Sequence, residues 1–312
     1  SNRALAQRDF SKLAEIYKER AELEDKRAGW AFSLLYARIL AFRLGKRKEA
    51  EEVLAKILES APDFVPALLT LIQIQLEAGD WKKLVECYQK LVELAEGKGE
   101  GELVKSYSYR IACLMEGRIG SPLSALEWYN RLAESDCAIY GLLCALEILE
   151  ALRQEKELRQ NLDLLVQALP EQESWFRSLL LFRLSRFYDL EQNREKELSF
   201  LNQVVELDPS NLLAWWRIEA LAREEKNYVL LAKSLRALAD LIDDEELKFY
   251  YLTELAQVML DFLEDFNSCQ EVIKEAEEIN PDSLAIVRLK QSLAFRKSDW
   301  QAFEQAIDKE LS

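Results

Sequence analysis

Two short motifs of apolar and small side chains alternate along this chain of 312 residues at a constant separation. The first motif has two such side chains three residues apart, as in Leu34 and Ala37, and the second has the spacing of Ala50, Leu54 and Ile57. Spacings of three and four residues place side chains on one face of an α-helix, so each motif predicts a helix. The two motif anchors keep the same offset in all eight repeats, at positions 34 and 50, 68 and 84, 109 and 125, 142 and 158, 181 and 197, 215 and 231, 253 and 269, and 286 and 302.

Each repeat therefore predicts a pair of helices, and residues 3–24 predict one unpaired helix ahead of them. Proline and glycine are scarce, and no segment shows the alternation that is typical of a strand. We predict 17 helices in one continuous array over residues 1–312, with no linker between domains. The predicted pairs occupy residues 28–60, 63–95, 101–134, 137–168, 173–206, 209–241, 244–279 and 281–311.

The motifs resemble the tetratricopeptide (TPR) pattern, W-x2-L-G-x2-Y, then A-x3-F, then P, on a helix-turn-helix of about 34 residues. The resemblance covers nearly the whole chain and lies in spacing more than in residue identity, because no unit has the glycine of that pattern. It implies an all-α fold, a right-handed superhelical α-solenoid of antiparallel helix pairs. A divergent TPR relative and another helical-pair solenoid both fit. The best match consists of Leu181, Leu184, Ser185 and Tyr188, followed by Glu197, Leu201 and Pro209.

A polar residue followed by an aromatic one recurs at Asp9, Asp80, Asn227 and Asp299. Such residues cap helices, so each of the four predicts the start of a second-type helix. The offset from Asp9 to Asp80 is nearly equal to the offset from Asn227 to Asp299, which indicates duplication of a two-pair block. Because the array opens on a second-type helix and the chain begins without Met, we expect it to be an excerpt of a longer protein.

The net charge of -15 argues against a nucleic-acid surface and against an anionic membrane surface, since both need clustered Lys and Arg. No apolar run is long enough to span a bilayer, so direct membrane insertion is not predicted. The five cysteines form no C-x-x-C pair, and we expect most of them to be packing residues in a reducing, cytoplasmic environment.

The sequence predicts neither catalysis nor a bound metal or cofactor. It contains no histidine, the commonest general base and metal ligand. The glycines at positions 97, 99 and 101 lack the spacing of a phosphate-binding loop, and we interpret them as a connector. The acidic clusters at 243–246 and 261–265 lack the ligand spacing of a calcium loop, and the first is placed to favour a helix N-terminus.

In TPR proteins the first helix of each pair lines a concave groove, and the resemblance implies the same role here. The aliphatic side chains at groove positions are equally consistent with packing between neighbouring helices. Tyr, Trp and Arg dominate interface energetics, and we expect an amphipathic helix or an extended peptide with a carboxylate to bind them. The predicted groove residues are Tyr107, Arg110, Phe182, Arg186, Trp216, Tyr251 and Glu254, with Phe182, Arg186 and Trp216 facing one cavity.

The leading functional hypothesis is a non-catalytic scaffold that binds a protein or peptide partner in this groove. A second hypothesis is self-assembly into a homo-oligomer through the end helices, because Trp300, Phe303, Ala306 and Ile307 form an apolar stripe on the last one. A third is a regulatory or substrate-recruiting region of an enzyme whose catalytic domain lies outside this chain.

Overall fold

The structure is a computed structural model that describes residues 9–134, 138–170 and 172–311, without the side chains of Lys309 and Leu311. The described residues contain 17 α-helices and no β-strand. They divide into two compact units, Ser1–Leu165 and Val166–Ser312, and each unit is treated by itself.

In the first unit, one helix precedes four pairs, and α9 runs across the unit boundary. The helices are α1 Phe10–Leu23, α2 Lys26–Phe42, α3 Arg47–Ser60, α4 Val65–Ala78, α5 Trp81–Lys98, α6 Gly101–Leu114, α7 Pro122–Ala133, α8 Ala138–Ala151 and α9 Glu155–Ala168. The second unit continues with α10 Ser174–Leu190, α11 Arg194–Leu207, α12 Leu212–Glu224, α13 Tyr228–Leu241, α14 Glu245–Val258, α15 Phe266–Ile279, α16 Leu284–Arg296 and α17 Trp300–Leu311. Helices α6 and α14 are each extended by a π-helical turn, Met115–Ile119 and Met259–Leu263.

The prediction of one helix followed by eight helix pairs is confirmed. The segment expected to be helical over residues 3–24 is helical from Phe10 to Leu23, because Asp9 has non-helical backbone angles and caps α1. Residues 3–8 of that prediction lie outside the described residues, as does Cys137. One array over residues 1–312 and a right-handed superhelix both stay predictions.

The seam between paired helices is apolar and tightly closed. In the second unit, Leu184 of α10 and Leu201 of α11 are buried, and Ile218 of α12 and Leu235 of α13 repeat the arrangement one pair later. Complete burial of a leucine or isoleucine side chain contributes about 1.5–3 kcal/mol. Burial of these side chains fixes the rotation of each first helix and so determines which of its side chains remain outside.

Every pair has one left-handed residue between its helices. Glycine supplies it at Gly45, Gly79 and Gly120. In the other five pairs the residue carries a side chain: Arg153, Gln192, Lys226, Glu264 and Ser298, all with φ between 54° and 59°. In five pairs the following N–H donates to a carbonyl five residues earlier, as from Asn227 to Ala222 at 2.9 Å, and after Gly45 and Gly120 it donates to a carbonyl six residues earlier. These bonds satisfy the end of the first helix.

This turn corrects the register of the last pair. In seven pairs the left-handed residue lies 11 positions after the first anchor, as Lys226 does after position 215, whereas Ser298 lies 12 positions after position 286. The structural equivalents of the anchors in α16 and α17 are therefore Val287 and Phe303, one residue later than predicted, and the offset between the two anchors is unchanged.

The four predicted caps also form, since the side chains of Asp9, Asp80, Asn227 and Asp299 each accept a hydrogen bond from the backbone N–H three residues later. Helix α11 has an unusual residue at its anchor, because Glu197 is buried where the other second helices carry an apolar side chain. Its carboxylate accepts hydrogen bonds from Arg217 at 2.5 Å and from Arg194 at 3.1 Å. A buried carboxylate needs such partners to offset its lost hydration.

Two helices approach each other closely at Gly141 of α8. A Cβ there would lie 2.6 Å from both the Ala133 nitrogen and the Tyr129 oxygen of α7, which are backbone atoms that cannot move aside independently. The TPR pattern did not predict this close contact, because the glycine of that pattern lies where the two helices of one pair meet. Gly141 instead approaches the last helix of the preceding pair.

Replacing left-handed residues gives the first test of this fold. We expect Lys226→Gly to raise the free energy of unfolding by about 1 kcal/mol, because glycine adopts positive φ without strain. The same change inside α15, Lys274→Gly, should lower it by about 1 kcal/mol. Urea unfolding of the two variants measures both, and a destabilised Lys226→Gly variant would contradict the assigned turn.

The close approach at Gly141 gives the second test. Gly141→Ala should destabilise the chain by about 3 kcal/mol, because the added methyl group forces α7 and α8 apart. Gly97→Ala is the matched control, since a Cβ there meets nothing within 4 Å and alanine favours a helix, which predicts a gain of about 0.5 kcal/mol. Thermal unfolding of both variants should show shifts of opposite sign, and equal stabilities would show that the helices are not in contact at Gly141.

Candidate interaction surface

The first helices of the second unit leave large apolar side chains exposed opposite the core. On α12, Leu213 and Trp216 are 57% and 41% exposed, and on α14, Leu247 and Tyr250 are 47% and 48% exposed. Each pair of residues is three positions apart, which places both on one side of its helix. Single exposed apolar residues are ordinary, whereas several of them on adjacent helices make a candidate interaction surface.

A hydrogen bond joins α12 to α14 at the centre of this group. The indole Nε1 of Trp216 donates to the hydroxyl oxygen of Tyr251 at 3.0 Å. Tyr251 is half-buried and packs against the core clusters on both sides of α14, so it is a rigid acceptor. Its ring also lies 5.3 Å from that of Tyr250, edge to face. We define the aromatic face as Leu213, Trp216, Leu247, Tyr250 and Tyr251.

One edge of the aromatic face is closed by paired charges. The guanidinium group of Arg223 on α12 donates to Glu219 at 2.7 Å and, through two nitrogens, to Glu254 on α14 at 3.1 Å. Burial, followed by the negative charge of Glu254, raises the pKa of Tyr250. The predicted residue Glu254 therefore holds α14 against α12 and is already engaged.

The opposite edge, at the N-terminus of α14, carries a cluster of acidic side chains. Asp244 caps α14 by accepting a hydrogen bond from the N–H of Leu247 at 2.9 Å, which confirms that this acidic cluster favours a helix N-terminus. Asp243, Glu245 and Glu246 are exposed, and none of them forms an ion pair within the described residues. Glu245 and Glu246 lie in the first turn of α14, directly before Leu247.

The other predicted residues of the second unit have different surroundings. Phe182 is half-buried and packs against the core cluster that contains Leu181 and Trp215. Arg186 lies one turn later on α10 and is exposed. A common cavity for Phe182, Arg186 and Trp216 stays a prediction, and the contact that the structure does provide for Trp216 is with Tyr251 on α14.

Tyr107 and Arg110 belong to the first unit, where both contact Tyr88 of α5. The rings of Tyr107 and Tyr88 are 5.9 Å apart. Arg110 lies 6.0 Å from the centre of the Tyr88 ring and donates a hydrogen bond to its hydroxyl oxygen at 3.4 Å. These contacts hold α6 against α5, so a role in partner binding stays a prediction for both residues.

Sequence reasoning missed Leu247 and Tyr250 as exposed residues, because groove positions were counted from anchors and these two precede the assigned position.

Two features of the described residues bear on other functions. No group of three or more His, Cys, Asp or Glu side chains is placed to hold a metal ion, and no helix is long and apolar enough to cross a membrane. Burial raises the pKa of both the Cys87 and the Cys269 thiol to about 11, consistent with packing roles.

Comparison with known proteins gives no family model and no curated protein that matches this chain. Among solved structures, it is similar to YrrB, described as a TPR protein with an unusual peptide-binding site, with 16% identity over 66% of this chain and 99% of that one and a TM-score of 0.36. It is also similar to a tetratricopeptide repeat protein from Parabacteroides merdae, with 14% identity over 78% of this chain and 90% of that one and a TM-score of 0.34.

The TPR domain of P58(IPK) is a third similar structure, with 13% identity over 99% of this chain and 89% of that domain and a TM-score of 0.30. These TM-scores are too low to support an argument about this chain. The assignment of an all-α, tetratricopeptide-like repeat rests on its own 17 described helices, their pairing and their constant separation.

Proposed function

We propose that this chain is a non-catalytic interaction scaffold that binds a segment of a protein partner on the aromatic face. The observation that supports this most is the exposure of Leu213, Trp216, Leu247 and Tyr250 together on adjacent first helices. Solvent-exposed apolar surface of this kind costs solubility unless a partner covers it for part of the time.

Trp216 has the properties of an interface anchor. It presents a large apolar ring, and its polar nitrogen is already satisfied by Tyr251, so a partner can cover the ring without leaving an unpaired donor. The same hydrogen bond restricts the rotamers of Trp216 before binding, which reduces the entropy lost on association. Tryptophan and tyrosine are enriched among the few interface residues whose truncation removes most of the binding free energy.

The proposal of a scaffold without catalysis follows from the residue types present. Histidine is absent from the whole sequence, and the Arg, Glu and Asp groups beside the aromatic face are either paired with one another or exposed at a helix start. An amphipathic helix suits the face, because residues at i, i+3, i+4 and i+7 of such a helix form an apolar strip along one side.

The test separates binding from folding by using two variants. Trp216→Ala should weaken partner binding by about 2 kcal/mol with little change in melting temperature, because the ring lies outside the core. Leu184→Ala, which empties a buried seam position, should lower the free energy of unfolding by about 2–5 kcal/mol. The partner is first captured with a photo-crosslinking amino acid at Leu213, and Val229, an exposed residue on α13, provides the control position.

The result expected is capture from position 213, none from 229, and loss of affinity for the captured protein in Trp216→Ala. If Trp216→Ala unfolds as readily as Leu184→Ala while its folded fraction binds the partner normally, Trp216 is a core residue and the proposed surface is wrong.

A further inference from the structure

The negative charge of the chain is concentrated in its second unit. Residues 166–312 contain 29 acidic and 17 basic side chains, a net charge of -12, whereas residues 1–165 contain 27 and 24, a net charge of -3. Several of the basic side chains in the second unit are already paired within it, including Arg217, Arg223 and Arg236. A partner that approaches this unit therefore meets an excess of carboxylates.

The open edge of the aromatic face, at the start of α14, is also negatively charged. Asp243, Glu245 and Glu246 are exposed at the start of α14, directly before Leu247 in sequence, and have no ion-pair partner in the described part of the chain. The basic residue nearest to them in sequence is Lys248, a single positive charge against the four carboxylates at 243–246. At the opposite edge Arg223 pairs with both Glu219 and Glu254, which leaves a net charge of -1 there.

This asymmetry limits the chemistry of the partner. An acidic segment would place its carboxylates against three unpaired ones, and like charges at a rim slow association and weaken binding. A purely apolar segment would leave the acidic edge without a counterpart. A helix that is apolar on one side and carries Lys or Arg beside that strip complements both features.

We propose that the partner segment is a basic amphipathic helix whose apolar side chains cover Leu213, Trp216, Leu247 and Tyr250 while its Lys or Arg side chains contact Asp243, Glu245 and Glu246. This inference rests on the proposed function and names the chemical class of its partner. It also assigns a binding role to acidic residues whose neighbour Asp244 has a purely local one as the cap of α14.

The probes are three fluorescein-labelled synthetic peptides, measured by fluorescence anisotropy against the full chain. The first is an amphipathic helix with Leu and Phe on one side and Lys on the other. The second has Glu at every Lys position, and the third has the composition of the first in an order that places no apolar strip on one side. We expect the first peptide to bind, with an affinity that falls as salt is added, and the other two to bind at least tenfold more weakly.

Two matched charge variants locate the contact. The rim variant carries Asp243→Asn, Glu245→Gln and Glu246→Gln and retains the Asp244 cap. The control variant carries Glu206→Gln, Glu271→Gln and Glu278→Gln, which remove the same number of exposed charges from α11 and α15. The rim variant should bind the Lys peptide about tenfold more weakly, since each of three exposed ion pairs contributes a small factor, and the control should change affinity by less than twofold.

The outcomes separate this inference from the proposed function. Equal effects of the rim and control variants, tighter binding of the Glu peptide, or no binding of any peptide would each overturn the basic-helix proposal. If the photo-captured partner still depends on Trp216 in those cases, the scaffold function stands with a partner of other chemistry. If the Lys peptide binds as tightly to Trp216→Ala as to the unaltered chain, it binds elsewhere, and both proposals lose their common surface.

Discussion

The apolar seam within each helix pair determines what every other residue can do. Because Leu184, Leu201, Ile218 and Leu235 are all buried within the helix pairs, the rotation of each first helix is fixed. Rotation fixes exposure, so Trp215 lies inside while its neighbour Trp216 lies outside. This geometry explains the constant offset between the two anchors of a pair. The offset is the number of residues that the chain needs to run from one side of the seam, through the turn, to the other side.

Much of the fold follows from the sequence because periodic burial is a strong local signal. The helix pairs and the caps at Asp80 and Asn227 were predictable, since side-chain spacing and capping chemistry are both local. The turns were harder to predict, because five of the eight left-handed residues are not glycine and packing of the flanking helices imposes their conformation. The anchor of the last pair was predicted one residue too early, because Ile286 and Val287 are both apolar and both buried, and the sequence does not distinguish them.

The candidate surface was predictable only in part. Trp216 and Tyr251 were expected to face a groove, but their hydrogen bond depends on the distance between two helices that no sequence spacing reports. Arg110 was expected to bind a partner, whereas in the structure it contacts Tyr88 within its own unit. Glu197 shows the limit most clearly, because its buried carboxylate depends on two arginines. Arg194 is a local neighbour three residues earlier on α11, whereas Arg217 lies on α12, and no local spacing reports that contact.

The proposed function requires Trp216 to be exposed while its neighbour Trp215 is buried. Hydroxyl-radical footprinting read by mass spectrometry tests this difference in exposure directly. The account predicts rapid oxidation of Trp216, which is 41% exposed, and strong protection of Trp215, which is 6% exposed, in the native chain. Both should be oxidised at similar rates after unfolding. Rapid oxidation of Trp215 with protection of Trp216 in the native chain would show that α12 is rotated from its assigned position, and the aromatic face would not exist.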